Sequence, residues 1–167
     1  ENMDAFSNHV AATDMPNIFT EMFLHWFVWI GGAGATLALV CLFLTSKSVY
    51  LKELGKIGFL PGLFNINEPI IFGAPIVMNP TLTIPFILSP LVMTVIAYLA
   101  TITHIIPMTV SRTVFTVPSP IGAMMVTNWH IMAGILVVIN FLVSLVIYYP
   151  FFKVFEKEQL ASEGDES

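Results

Sequence analysis

Residues 59–80 read FLPGLFNINEPIIFGAPIVMNP, and they are the most informative part of the sequence. The stretch is too apolar for a surface loop, yet it contains four prolines, two glycines, three asparagines and one glutamate. Irregular backbone at membrane depth is tolerated only where it is buried in protein or lines a wet cavity. We therefore predict a re-entrant hairpin over residues 59–80, with its polar tip around Asn65–Glu68.

Long uncharged intervals surround this hairpin and indicate a membrane protein. No Asp, Glu, Lys or Arg occurs between Glu21 and Lys47, between Glu68 and Arg112, or between Arg112 and Lys153. Each interval exceeds the roughly 20 apolar residues that a helix needs to cross a bilayer. Charged residues make up 10% of the chain, whereas a soluble domain is about a quarter charged. The sequence therefore predicts an all-α integral membrane protein, a polytopic helical bundle.

The predicted bundle has three spanning helices and one or two re-entrant hairpins in a membrane-embedded domain of residues 22–152. The spans are predicted at about 22–45, 82–105 and 130–152. A second dip into the membrane is predicted over residues 107–128, which contain three prolines. A polar lead-in loop, residues 1–21, precedes the domain, and a cytoplasmic tail, residues 153–167, follows it. The composition of residues 155–167 predicts that this part of the tail is solvated and disordered. The chain begins with Glu rather than Met, so we expect a fragment of a larger protein.

Two local patterns refine this topology. Three lysines, Lys47, Lys52 and Lys56, follow the first predicted span, and lysines also follow the last. Because cytoplasmic loops carry an excess of Lys and Arg, both segments are predicted to be cytoplasmic. The small residues Gly31–Ala35 are expected to let a neighbouring helix pack closely against the first span, rather than to form a ligand-binding loop.

Polar residues of the hairpin form the candidate binding site. Glu68 is the only acidic residue between Glu53 and Glu156, and an ionisable group inside a membrane domain marks a functional site by default. Asn65 and Asn67 lie beside it, and Asn79 closes the far arm. Amides and a carboxylate offer donors and acceptors to the hydroxyls of an uncharged polar solute. Two structural roles remain open for Glu68, capping a half-helix or pairing with Arg112.

Other classes of function find little support in the sequence. No basic patch with interleaved aromatics is present, so nucleic acid is not expected as a partner. The histidines are too far apart in sequence for a metal site, and no Ser, His and acid follow the order of a catalytic triad. No self-contained enzyme, catalytic residue, metal or cofactor is predicted.

Several stretches of the sequence resemble one bacterial family. Residues 58–80, GFLPGLFNINEPIIFGAPIVMNP, resemble the signature hairpin of the lactose/cellobiose/diacetylchitobiose-type enzyme IIC permeases of the phosphotransferase system. FVWIGGAGATLALV at 27–40 and TIPFILSPLV at 83–92 resemble the segments before and after that hairpin. SPIGAMM at 119–125 and LVSLVIYYPFFKVFEKE at 142–158 resemble the family's last segments.

The resemblance implies more than the residues do alone. It implies the C-terminal, substrate-binding half of a multi-pass permease of the bacterial plasma membrane, which takes up a cellobiose-like disaccharide. A partner subunit, enzyme IIB, would phosphorylate the sugar from its own cysteine, so that the chain is a transporter subunit in group translocation. The N-terminal half of the permease would form the contact of a homodimer. By the same resemblance, Glu68 would bind sugar hydroxyls, with Asn65 and Asn67 shaping the pocket.

Two alternatives to this interpretation remain open at the level of sequence. A proton-coupled secondary transporter of a neutral polar solute could use Glu68 as its titrating group, and its transport would follow a pH gradient without enzyme IIB. A structural membrane subunit would tolerate Glu68→Gln with no change in sugar binding.

Overall fold

The computed structural model describes residues 1–114 and 117–165, which form helices joined by turns, with no β-strand among them. The α-helices are α1 (Asn2–Ser7), α2 (Glu21–Phe23), α3 (Leu37–Leu44), α4 (Val49–Leu63), α5 (Glu68–Gly73), α6 (Pro80–Ile102), α7 (Ser119–Val126) and α8 (Ile131–Asp165). Helix α2 continues as a π-helical turn, Leu24–Val28, and a 3₁₀ turn, Ile76–Met78, precedes α6. The all-helical prediction is confirmed.

The predicted spanning helix over residues 22–45 is wrong as a continuous helix. Its first part ends with the π-helical turn at Val28, and α3 begins only at Leu37. Between them the backbone enters the left-handed region at Gly31, Gly32, Gly34 and Ala35. Glycine adopts positive φ at little cost, so this composition permits an unwound loop as readily as a packed helix. We call residues 29–36 the broken segment.

Two helices in the described part of the chain are long and apolar enough to cross a membrane, α6 and α8. They correspond to the predicted spans at 82–105 and 130–152. Only 28% and 39% of their most apolar windows are buried, whereas the core helix of a soluble protein is mostly buried. The outward faces of these helices are therefore apolar, as a lipid-facing surface requires.

The predicted hairpin at 59–80 consists of the last turns of α4, the turn at residues 64–67, α5 and the 3₁₀ turn. Ser48 caps the start of α4, since its hydroxyl accepts a hydrogen bond from the Leu51 N–H at 3.2 Å. Pro69 follows the first residue of α5, where the missing N–H of proline leaves no helical bond unmade. Proline and glycine thus divide the apolar stretch into two short arms.

The predicted disorder of residues 155–167 is wrong up to Asp165, because α8 continues to that residue. Its last turns are held by carboxylates. Glu156, 5% exposed, accepts hydrogen bonds from the Ser46 hydroxyl and the Lys47 N–H, both at 2.7 Å. Glu163 accepts one from the Ser48 hydroxyl at 2.6 Å. The two lysine-containing segments predicted to lie on one side of the membrane therefore contact each other. Residues 166 and 167 lie outside the described part.

In the described part of the chain, two apolar clusters form the core, and α8 contributes to both. One surrounds Trp26 and Phe27 and includes side chains of α6, α7 and α8. The other surrounds Phe43 and Tyr148 and joins α3, α4 and α5 to α8. The lead-in residues pack against this body: the buried side-chain amide of Asn2 donates to the Thr109 carbonyl at 2.9 Å.

The stretch at 107–128, predicted to dip into the membrane, begins with residues outside any helix and ends in α7. The Val110 N–H donates to the Val126 carbonyl at 2.8 Å, which brings the two ends of the stretch together. Residues 115 and 116 lie outside the described part. The membrane dip therefore stays a prediction, as does the re-entrant character of the hairpin.

Candidate functional site

The tip of the hairpin is a tight turn between α4 and α5. Helix α4 ends at Leu63, and Asn65 has a φ of +61°. A left-handed φ is rare for residues other than glycine, although asparagine tolerates it better than most. Glu68 then begins α5. The turn thus leaves the Glu68 side chain exposed and directs the side-chain amides of Asn65 and Asn67 back towards the protein.

The two amides of the tip hold the broken segment. Asn65 Oδ1 accepts a hydrogen bond from the Gly31 N–H at 2.9 Å. Asn67 Nδ2 donates to the Ala33 carbonyl at 2.7 Å. Between these contacts, Gly32 approaches so closely that a Cβ placed on it would lie 2.5 Å from Asn67 Cγ. The glycines predicted to serve helix packing instead form the surface on which the hairpin tip docks.

Ser119, the first residue of α7, joins the same cluster. Its hydroxyl donates to Asn65 Oδ1 at 2.8 Å, so that this oxygen has two donors. Asn65 Nδ2 is buried and has no hydrogen-bond partner among the described residues. A buried amide hydrogen without an acceptor is costly. The tip therefore retains one donor that a ligand or a water molecule would satisfy.

Glu68 differs from its two amide neighbours because it is exposed. Within the described residues its carboxylate forms no ion pair and no side-chain hydrogen bond. Arg112, the partner considered from the sequence, forms an ion pair with Glu21 instead, with 4.0 Å between Arg112 Nη2 and Glu21 Oε2. An ionised carboxylate only accepts hydrogen bonds. The geometry therefore leaves Glu68 available to hydroxyl groups from outside the protein.

Asn79 is not brought to the tip by any contact within the described residues. It caps α6, since its Oδ1 accepts a hydrogen bond from the Thr81 N–H at 2.9 Å. Asparagine is one of the preferred residues at this N-cap position. Of the four predicted site residues, Asn65, Asn67 and Glu68 thus lie together, and Asn79 closes the far arm. The assignment of all four to substrate binding stays a prediction.

Sequence reasoning missed several residues that build the site. Three of them lie on one face of α8, at intervals of four: Asn140, Ser144 and Tyr148. All three are buried and donate to carbonyls in or next to the broken segment. Their regular polar spacing in an apolar span was a detectable signal. Ser119 offered no such signal, because its contact with Asn65 spans 54 positions of the chain.

Several cavities lie elsewhere in the molecule, and two of them are next to residues discussed above. One, of about 380 Å³, is beside Ser119, and its other walls are almost entirely apolar. Such walls suit hydrocarbon better than hydroxyl groups. The other, of about 270 Å³, is more polar and lies between the lead-in residues, Thr20–Met22 and Thr109–Arg112. Neither is lined by a predicted site residue. Over residues 1–114 and 117–165, no three His, Cys, Asp or Glu side chains are grouped as a metal site would require.

Comparison with known proteins gives consistent matches. The sequence profile of a family described as "Phosphotransferase system, EIIC" matches residues 1–90. The lichenan permease IIC component of Bacillus subtilis (strain 168) is 43% identical over 157 residues, covering 93% of this chain and 35% of that protein. The cellobiose-specific EIIC component of Geobacillus stearothermophilus is 42% identical over 165 residues, covering 98% and 36%.

A solved structure matches the fold closely. It is the crystal structure of the transporter ChbC, the IIC component of the N,N'-diacetylchitobiose-specific phosphotransferase system. The TM-score is 0.91 at 39% identity, with 98% of this chain and 38% of that chain covered. The chain thus spans somewhat more than a third of the length of these relatives.

Proposed function

Because this chain belongs to the EIIC family of the phosphotransferase system, we propose that it forms the substrate-binding part of a sugar permease in the bacterial plasma membrane. The substrate is a disaccharide similar to cellobiose. The sugar is phosphorylated by enzyme IIB as it is taken up. In the intact protein, the N-terminal half completes the permease and makes the contact of a homodimer.

One observation carries the assignment of the site: an exposed, unpaired carboxylate stands beside two amides that are fixed on the broken segment. Glu68 has no competing partner among the described residues, while Asn65 and Asn67 are held at 2.9 and 2.7 Å from Gly31 and Ala33. Hydrogen bonds to an ionised acceptor are about twice as strong as neutral ones. The Glu68 carboxylate, on a turn that these two amides hold in place, can therefore orient a sugar hydroxyl.

The roles of the residues follow from their donors and acceptors. Glu68 accepts hydrogen bonds from hydroxyls of the sugar, including the one that receives the phosphoryl group. The unpartnered Nδ2 of Asn65 donates to a sugar oxygen, and Asn67 fixes the backbone next to Glu68. As the new O–P bond forms, the S–P bond to the cysteine of enzyme IIB breaks, and the hydroxyl proton passes to Glu68 or to water.

Proteoliposomes that contain the intact permease test this function. We expect labelled cellobiose to accumulate inside as its phosphate only when phosphorylated enzyme IIB is supplied on the cytoplasmic side. Omission of enzyme IIB is the matched control and should leave no more than background. Accumulation of unmodified sugar that follows an imposed pH gradient, without enzyme IIB, would contradict the proposal.

A further inference from the structure

Two carbonyls of the broken segment, those of Gly34 and Ala35, accept hydrogen bonds from side chains of α8. Tyr148 donates its hydroxyl to the Gly34 carbonyl at 2.7 Å. Ser144 donates to the Ala35 carbonyl at 3.3 Å and accepts from the Ser89 hydroxyl at 2.8 Å. We call Asn140, Ser144 and Tyr148 the α8 polar stripe.

Asn140 extends the stripe to the π-helical turn. Its Nδ2 donates to the Phe27 carbonyl at 2.8 Å. The three side chains of the stripe are at most 1% exposed. In a membrane, a backbone carbonyl released from helical bonding has no water to replace its partner, so it must find a donor within the protein. The stripe therefore supplies the hydrogen-bond donors that the carbonyls of the unwound backbone require.

The broken segment is thus bonded on two sides. The α8 polar stripe bonds the carbonyls of Gly34 and Ala35, while Asn65 and Asn67 of the hairpin tip bond Gly31 and Ala33. We infer that the α8 polar stripe, and Tyr148 above all, positions the sugar site: it fixes the broken segment, and the broken segment fixes the amides beside Glu68. These are positioning residues, since none of them is a predicted ligand of the sugar.

The close approach of Gly32 to Asn67 makes this coupling direct. No side chain separates the broken segment from the amide, and even a single added carbon would lie 2.5 Å from Asn67 Cγ. A shift of the segment by a fraction of an ångström must therefore move Asn67. Ala35, at a φ of +56°, holds a left-handed conformation that is unfavourable for a residue with a Cβ. Loss of the hydrogen bonds from α8 to this part of the chain therefore favours a rearrangement of the broken segment.

Tyr148→Phe removes one hydroxyl from the stripe and keeps the ring. Tyr149→Phe is the matched control, because Tyr149 follows on the same helix and is 53% exposed. In the intact permease we expect Tyr148→Phe to raise the Kd for cellobiose about three- to tenfold, from the net value of one hydrogen bond, and Tyr149→Phe to leave it unchanged. An equal Kd in both variants would overturn the inference.

A double substitution distinguishes positioning from a general loss of stability. If Tyr148 acts through the broken segment on Asn67, Tyr148→Phe should have little further effect on Kd in an Asn67→Ala background. Full additivity of the two effects would contradict the coupling, since independent sites add.

The sugar experiments rest on the proposed function, so a readout without sugar is needed as well. A spin label at Ile66→Cys, in a background without Cys41 and other native cysteines, reports on the hairpin tip, where Ile66 is 48% exposed. We expect greater label mobility with Tyr148→Phe and none of this change with Tyr149→Phe. Unchanged mobility in both would overturn the inference. If the mobility rises but the wild type binds no disaccharide, the positioning role stands and the proposed function fails. Should Tyr148→Phe not fold, Ser144→Ala is read by the same label.

Discussion

Exchange of Glu68 for glutamine in the intact permease is expected to weaken disaccharide binding about 10- to 100-fold, because hydrogen bonds to a charged group contribute roughly 1.5–3 kcal/mol. The glutamine has nearly the same shape, but one carboxylate oxygen becomes an amide donor. A sugar hydroxyl that donated to this oxygen then meets a second donor. Phosphorylation of the sugar should fall at least as far, since one of the two acceptors of the hydroxyl proton is lost too.

Equilibrium binding in detergent checks this prediction, with cellobiose, lactose and diacetylchitobiose titrated into the wild type and the variant. Glu53→Gln is the control. Glu53 lies on the surface of α4, where, among the described residues, its carboxylate pairs only with Lys56 at 2.6 Å. We expect that variant to bind as the wild type does. If Glu68→Gln also binds as the wild type does, Glu68 is no ligand of the sugar.

Gly32→Ala should produce the second large effect. Gly32 has a φ of +93°, which costs an alanine about 1–2 kcal/mol, and its Cβ would lie 2.5 Å from Asn67 Cγ. Overpacking of this kind costs typically 1–3 kcal/mol more. We expect a total loss of about 2–5 kcal/mol, shared between lower stability and displacement of Asn67 from the Ala33 carbonyl.

Thermal unfolding and sugar binding of the same preparation measure the two parts of this loss. Gly62→Ala is the matched control, because Gly62 lies in α4 and its φ is outside the left-handed region. A Cβ added at Gly62 would have the Leu37 Cδ1 methyl as its nearest neighbour, at 3.3 Å. That variant should remain close to the wild type in both measurements. Wild-type sugar affinity and stability in Gly32→Ala would mean that the broken segment does not hold the tip.

The sequence predicted the membrane character and two of the long helices because lipid contact imposes a simple rule. A helix whose outward face meets hydrocarbon must be apolar over about 20 residues, and the uncharged intervals after Glu68 and after Arg112 satisfy that rule in α6 and α8. The polar tip of the hairpin was equally visible, since Asn65, Asn67 and Glu68 are conspicuous among apolar neighbours.

The broken segment could not be predicted in the same way. Small residues such as Gly31–Ala35 are typical both of a tightly packed membrane helix and of a loop with left-handed backbone. The choice depends on hydrogen bonds from distant parts of the chain. Tyr148 bonds Gly34 across 114 positions, and Asn67 bonds Ala33 across 34. Local propensity contains no information about such partners.

The C-terminal segment was mispredicted for a related reason. Its charged composition resembles that of disordered tails, but two of its carboxylates have fixed partners. Glu156 and Glu163 accept hydrogen bonds from hydroxyls and backbone N–H groups between Ser46 and Tyr50. Helix α8 therefore extends beyond the apolar interval. Asn79 shows a different ambiguity, because an asparagine before a helix can use the same side-chain oxygen to cap that helix or to bind a ligand. Here the oxygen caps α6.

A structure of the intact permease with a bound disaccharide tests the location of the site most directly. We predict sugar density at the tip of the hairpin, with a hydroxyl within about 3.2 Å of the Glu68 carboxylate and the ring next to the Asn65 amide. Density for the sugar in the apolar cavity beside Ser119, or in the polar cavity near Arg112, with Glu68 free of it, would contradict that location.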